Sequence, residues 1–332
     1  MSSVLKARKW IQDAKDHIKG LKQASNKANR RIKVAVIDTG VDLANNDLSP
    51  YERRIKFLRG NAEDNKDYDG HGTMVVQLLL SLTPNIEVYV YKVADSRGSL
   101  SLSLDQIKEL AQVNGEMAKK SIGIDILNLS FGFADADEPN LEPLRSALQY
   151  IHTVNKVLVL AAASNDGGHA SVMWPASEAS CAICVNSSDG DGNPSYFNPT
   201  QRPPKFCTLG EGFELRLTKG QMERAKTNTT EPSEVAQNRA ESGTSFATPV
   251  AAALVVMILQ FADSNVEAAD LSEKDKHRLR KLRTHPGMMQ VFKEKCVEKS
   301  LATRGEFYYL APWFFSLKLT NIYGLLETLQ RV

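Results

Sequence analysis

Glu241-Ser242-Gly243-Thr244-Ser245-Phe246-Ala247-Thr248-Pro249-Val250-Ala251-Ala252-Ala253 sets one serine in a turn of small residues and runs on into an unbroken apolar stretch. Ser245 falls where the loop enters a helix. Its hydroxyl would project from a helix N-terminus, where free N–H groups and the dipole favour developing negative charge. Gly243 lets the backbone pass close to another strand or to a ligand. Pro249 has no N–H to give, which predicts a place in the first turn of the helix rather than its interior. Residues 250–261 are nearly all apolar, so the helix is expected to be buried on all sides. A tight loop before a core helix would read the same way. A serine nucleophile needs a base, and the base needs an orienting partner, so the rest of the chain decides.

Toward the N-terminus the order is that of an α/β protein. Ile32-Lys33-Val34-Ala35-Val36-Ile37 is a β-rich apolar run ending in Asp38-Thr39-Gly40. Functional groups in parallel sheets gather at the carboxyl ends of strands, and an aspartate there stays ionised if donors surround it; a turn aspartate capping local N–H groups is the alternative. Asp69-Gly70-His71-Gly72-Thr73 precedes the apolar helical run 74–82 and places an imidazole on an accessible turn. No second ligand stands at helical spacing from His71, so zinc is disfavoured; a base or a capping histidine remains. Further strands are expected over 86–93, 122–129 and 157–163, with helices over 105–117 and 141–154. The strand over 122–129 ends in Ser130-Phe131-Gly132, and the next in Ser164-Asn165-Asp166. The Asn165 amide could donate to an oxyanion or simply serve a turn.

The composition is that of an ordinary globular protein: 332 residues, 42% hydrophobic and 24% charged, with a formal net charge of +2 that favours no particular partner. No nucleic-acid signature stands out, no run of about 18 apolar residues suggests a membrane span, and no apolar secretory segment opens the chain. Cys181, Cys184, Cys207 and Cys296 are few and irregularly spaced, which points to reduced thiols and a cytoplasmic location. Cys181-Ala182-Ile183-Cys184 has redox-motif spacing, but positions i and i+3 of a strand face opposite ways, so both are read as structural.

Three turns thus carry Asp38, His71 and Ser245. Asp38-Thr39-Gly40, His71-Gly72-Thr73 and Gly243-Thr244-Ser245-Phe246-Ala247-Thr248-Pro249 resemble the three motifs of the subtilisin-like serine proteases, in that family's order of Asp, His, Ser. The resemblance covers residues 32–261. It implies a three-layer α/β/α fold with a mostly parallel central sheet. It also implies a serine endopeptidase in which Ser245 attacks the scissile carbonyl, His71 moves its proton and Asp38 orients the imidazole. Asn165 matches the oxyanion asparagine of the family. Ser130-Phe131-Gly132 and Gly98-Ser99-Leu100 resemble the two segments that bind an extended polypeptide substrate by strand addition, and the stretch from Ala161 to Ser164 one wall of the P1 pocket. Trp174-Pro175 resembles a family turn whose proline is often cis.

Departures from the pattern bear on regulation and metal binding. Leu100 stands where glycine is usual. Asp47 matches a calcium ligand of the family, but the loop that supplies the others is short and apolar here, so no cofactor is expected. Residues 1–31 form a basic segment in which Trp10, Ile11, Ile18 and Leu21 recur at helical spacing. No recognisable folding pro-domain precedes Ile32. The stretch 221–241 reads as a polar insertion. Residues 262–332, charged and helical with an aromatic cluster at Phe307–Leu310 and Trp313–Phe315, form an extension packed on the domain that could meet a regulatory partner. The alternative to an active protease is a catalytically silent or partner-gated module that binds peptides within a larger protein.

Overall fold

Val34, Val36, Val88 and Val90 face one hydrophobic layer, while Ala35, Ile37, Tyr89 and Tyr91 face another. This period-two alternation, apolar on both sides, belongs to a parallel sheet covered on both faces. The computed structural model describes residues 1–23, 30–96, 122–134, 141–154, 156–200, 204–227, 238–266, 271–297, 306–318 and 322–332. The segment Gly98-Ser99-Leu100 and the helix expected over 105–117 lie outside them.

Ten strands are described: β1 (Lys33–Asp38), β2 (Ile55–Phe57), β3 (Glu87–Lys92), β4 (Ile126–Leu129), β5 (Leu158–Ala162), β6 (Ala182–Ser188), β7 (Lys205–Leu209), β8 (Phe213–Arg216), β9 (Asn238–Glu241) and β10 (Phe307–Tyr309). Eight of them form a parallel sheet in the order β10-β7-β6-β5-β4-β1-β3-β2, and β8 and β9 make a separate antiparallel pair. From β1 the chain goes to one side for β2 and β3 and to the other for β4 to β7. The carboxyl end of β1 therefore stands where the strand order reverses, the place where open α/β sheets bind ligands.

The α-helices among the described residues are α1 (Ser3–Gln23), α2 (His71–Leu82), α3 (Glu142–Thr153), α4 (Lys219–Thr227), α5 (Thr244–Val266), α6 (Glu273–Leu279), α7 (His285–Lys295), α8 (Pro312–Lys318) and α9 (Tyr323–Leu329). α2 and α5 cover one face of the sheet, and α3 covers the other through Leu144, Leu148 and Ile151. This is the expected three-layer α/β/α arrangement. By length and hydropathy α5 could cross a membrane, but 89% of its apolar window is buried, so it is the central core helix that its all-round apolarity implies. Pro249 lies inside α5, beyond the first turn. A proline there removes the hydrogen bond that would run back to the carbonyl of Ser245, a loss tolerated close to the helix start.

The extension is built into the sheet. β10 pairs with β7 and makes an edge strand, and α5 continues past residue 261 to Val266. At the other end, α1 buries Ala7, Trp10, Ala14 and Ile18, the helical stripe implied by the spacing of Trp10 and Ile18. Asp125, 4% exposed at its side chain, accepts from Arg30 (3.0 Å), from Arg283 and from the Lys33 N–H (2.9 Å), so one carboxylate ties the basic segment, the sheet and the extension together.

Candidate active site

Asp38 closes β1, and Ser130 and Asn165 follow the ends of β4 and β5 on the same edge of the sheet. Asp38 is 3% exposed, and its Oδ1 lies 2.7 Å from His71 Nδ1. The same oxygen accepts the Thr39 N–H at 2.8 Å. His71 is the first residue of α2 and is itself buried. The backbones around the two residues come very close: a Cβ on Gly72 would stand 2.2 Å from the Gly40 carbonyl oxygen, so only glycine lets the α2 turn reach the Asp38 turn.

Ser245 is the second residue of α5, at its N-terminus, and is partly exposed. The ring of Phe246, the next residue, packs 5.0 Å from the His71 imidazole and also meets Phe213. Asn165 comes to the same turn from β5. Its Oδ1 accepts the Thr244 N–H at 2.8 Å, and Thr244 Oγ1 donates to the Ser164 carbonyl at 3.2 Å. Because a backbone N–H can only donate, it fixes which end of the amide is oxygen and leaves Nδ2 as the outward donor. A Cβ on Gly243 would fall 3.1 Å from Ser245 Oγ and 3.2 Å from Asn165 Nδ2, so the space between the hydroxyl and the amide donor is kept open by a glycine.

Ser130 is buried and its Oγ accepts from Asn128 Nδ2 at 2.9 Å. Past Gly132, Phe133 bridges Trp174 in antiparallel fashion, and the Met173 N–H donates to the Ala163 carbonyl at 2.8 Å. This joins the turn after β4 to the end of β5, where Ala161 and Ser164 are buried and Ser164 has a φ of 151°, uncommon outside glycine. The Trp174–Pro175 bond is cis, as the family resemblance implied.

Two residues escaped the sequence reading. Asp67 is 0% exposed and accepts at Oδ1 from Thr39 Oγ1 (2.9 Å), Gly70 N (2.9 Å) and Asp69 N (3.0 Å), and at Oδ2 from Thr73 N (2.8 Å) and Thr73 Oγ1 (2.6 Å). Burial pushes its carboxyl above the ordinary range, and the donors, Thr73 first among them, pull it back. Thr39 Oγ1 in turn accepts the Gly72 N–H at 2.9 Å, so Asp67 spans the turns of Asp38 and His71. The other residue is Gln221, whose amide reaches the Asp67 carbonyl. Asp67 lay in plain sight four residues before His71, but nothing in its local pattern separates a buried hub from a turn carboxylate.

The remaining candidate chemistry has structural explanations. Asp47 accepts from Gln77 Nε2 at 2.9 Å and has the Arg216 guanidinium 3.8 Å away, so a cation of the chain itself already faces it. Among the described residues no three His, Cys, Asp or Glu side chains gather as they would around a metal ion. Cys181 and Cys184 are buried in the same hydrophobic layer, because Cys181 precedes β6 and the strand alternation does not reach it. Burial pushes their thiols up to about 11 and about 12, far from a reactive thiolate.

Similarity to known proteins agrees with this geometry. The subtilisin-like protease het-Q2 of Podospora anserina is 31% identical over 202 residues, which cover 59% of this chain and 50% of that protein. Subtilisin DY of Bacillus licheniformis is 29% identical over 188 residues, 53% of this chain and 63% of that protein, so the matched region spans half to just under two thirds of these two relatives. An intracellular serine protease of Paenibacillus polymyxa is 26% identical over 266 residues, covering 74% of this chain and 72% of that protein. Two solved structures share the fold. The epidermin leader peptide processing serine protease EpiP of Staphylococcus aureus superposes with a TM-score of 0.64 at 18% identity, over 97% of this chain and 82% of that one. The prenylagaramide maturation protease PagA does so with a TM-score of 0.61 at 20% identity, over 94% of this chain and 98% of that one. The subtilase family model matches residues 29–287, a span that holds the Asp38, His71, Asn165 and Ser245 turns together, and the chain belongs to that family, peptidase S8.

Proposed function

We propose that the protein is a serine endopeptidase that cleaves polypeptides through Ser245, His71 and Asp38. The observation that carries this reading is the buried 2.7 Å contact of Asp38 Oδ1 with His71 Nδ1, with the residue after Ser245 packed on the same imidazole. A carboxylate on Nδ1 holds that proton in place and leaves Nε2 as the base. Ser245 Oγ attacks the substrate carbonyl and gives its proton to His71 Nε2. The oxyanion that forms accepts hydrogen bonds from Asn165 Nδ2 and from the Ser245 N–H at the start of α5. Collapse releases the amine, which takes the proton from His71 and leaves an acyl group on Ser245. Water, deprotonated by the same imidazole, then frees the acid. The burial of Asp38 and His71 keeps their interaction in a low-dielectric setting, while Ser245 and Asn165 stay open to a substrate.

In the same reading, the turn after β4, with Ser130, Phe131 and Gly132, is one bank of the cleft, and Ala161 and Ser164 wall the pocket beside Asn165. The substrate is an extended polypeptide. A reducing compartment such as the cytoplasm suits four buried cysteines of which none is in a disulfide.

The test is labelling of the purified protein with a fluorophosphonate. Wild type is expected to react and to cleave peptides, and Ser245→Ala and His71→Ala to do neither. A wild type that stays unlabelled while still binding extended peptides would replace the protease reading with that of a silent peptide-binding module.

A further inference from the structure

Gln221 lies in α4, far in sequence from the motifs of Asp38 and His71, yet its side chain is 1% exposed. Thr218-Lys219-Gly220-Gln221 forms a capping box: the Thr218 N–H donates to Gln221 Oε1 at 2.9 Å, and the Gln221 N–H reaches Thr218 Oγ1 at 3.4 Å. Since Oε1 is spent on a backbone donor, the amide has one orientation and turns Nε2 inward. There Nε2 donates to the Asp67 carbonyl at 3.1 Å and meets Thr73 Oγ1 at 3.5 Å.

Both partners belong to the shell behind His71. Thr73 is in the first turn of α2 and accepts the Asp42 N–H at 3.0 Å. Asp67 holds α2 through Gly70 and Thr73 and the Asp38 turn through Thr39. The Asp67 carboxylate fixes these turns from inside, and the Gln221 amide fixes the Asp67 main chain from outside. We infer that Gln221 is a positioning residue for His71, which couples the 219–227 helix to the angle at which the imidazole is presented.

This inference rests on the protease reading of the site for its kinetic consequence but not for its structural one. Gln221→Glu separates positioning from helix capping. Glutamate keeps the oxygen that accepts the Thr218 N–H, so the capping box survives. Ionised, its second oxygen would face the Asp67 carbonyl acceptor against acceptor, whereas protonated it would donate as the amide does, so this variant is compared with wild type at alkaline pH, where the carboxyl loses its proton. Gln221→Met, of similar length, removes donor and acceptor without adding charge.

The experiment compares wild type, Gln221→Glu and Gln221→Met by steady-state peptide hydrolysis and by the low-field proton resonance of His71 Nδ1–H in protein labelled with ¹⁵N-histidine. In both variants kcat is expected to fall about tenfold with KM near wild type, the scale of one buried hydrogen bond lost, and the His71 resonance to move or broaden. If either variant folds, as judged by circular dichroism, and keeps the wild-type kcat with an unmoved resonance, Gln221 is a helix cap and nothing more. If wild type hydrolyses no peptide, the protease reading fails by itself, and the His71 resonance still decides whether Gln221 positions the ring.

Discussion

Asn165 shows how little has to be added to a turn residue to suit it to the oxyanion role proposed for it. An exposed asparagine after a strand is ordinary. Here the Thr244 N–H, one residue before Ser245, takes its oxygen and leaves the amide donor beside the serine hydroxyl, across a gap that the missing side chain of Gly243 keeps clear. Asn165→Ala is expected to lower kcat on the order of 10²–10³-fold, a figure established for the oxyanion asparagine of a subtilase, with little change in KM. Gly243→Ala, which sets a methyl group 3.1 Å from Ser245 Oγ, is expected to act in the same direction. Both are read by peptide hydrolysis; wild-type kcat in both variants would remove the oxyanion role from this pair.

At the scale of elements, α1 acts as a strap. Trp10 is 2% exposed, donates from Nε1 to Tyr309 Oη at 2.7 Å and meets the Trp313 ring edge-on at 5.4 Å, so it joins the first helix to β10 and α8. Lys6 pairs with Asp189 at 3.1 Å and Asp191 at 2.6 Å, and Arg8 with Glu214 of β8. β8 pairs with β9, which leads directly into Ser242. These surface ion pairs are each worth little, and the buried tryptophan carries the attachment. Trp10→Ala is expected to cost about 3–5 kcal/mol in chemical denaturation, with the loosening felt first in β10 and α8. The stripe Trp10, Ile11, Ile18 was legible in the sequence as a helix face; that it meets Tyr309 and Trp313, some three hundred residues away, was not, because no local pattern encodes which apolar surfaces meet.

Over the whole molecule, the extension also sets a half-buried titrating group against the sheet's helical layer. His285 opens α7 and lies 6.0 Å, edge to face, from the ring of His152 on α3. Burial, with the neighbouring His152, lowers the His285 imidazole from its ordinary 6.5 to about 4. Between those values the unfolded chain binds the proton more readily than the folded one. The neutral ring therefore contributes stability that is present above pH 6.5 and is lost as the pH falls toward 4. Melting temperatures measured between pH 6.5 and 5 are expected to fall more steeply for wild type than for His285→Phe, and equal slopes would show that the histidine is not held neutral.

Much of this protein was written locally. The three turns around Asp38, His71 and Ser245, the alternation of strands and helices, and the all-apolar helix after Ser245 each follow from residue types at short spacing: glycine where backbones must approach, β-branched runs for buried parallel strands, a small-residue turn before a helix. These determined the family and the layered fold. The tertiary structure decided what joins distant segments. It made Asp67 the buried link between the turns of Asp38 and His71, gave the Gln221 amide its inward direction, set Arg216 against Asp47, and placed β10 at the edge of the sheet. Such roles depend on which donor faces which acceptor once the core has closed, and a hydrogen-bond partner some hundred and fifty residues away leaves no mark on the spacing of the sequence around it.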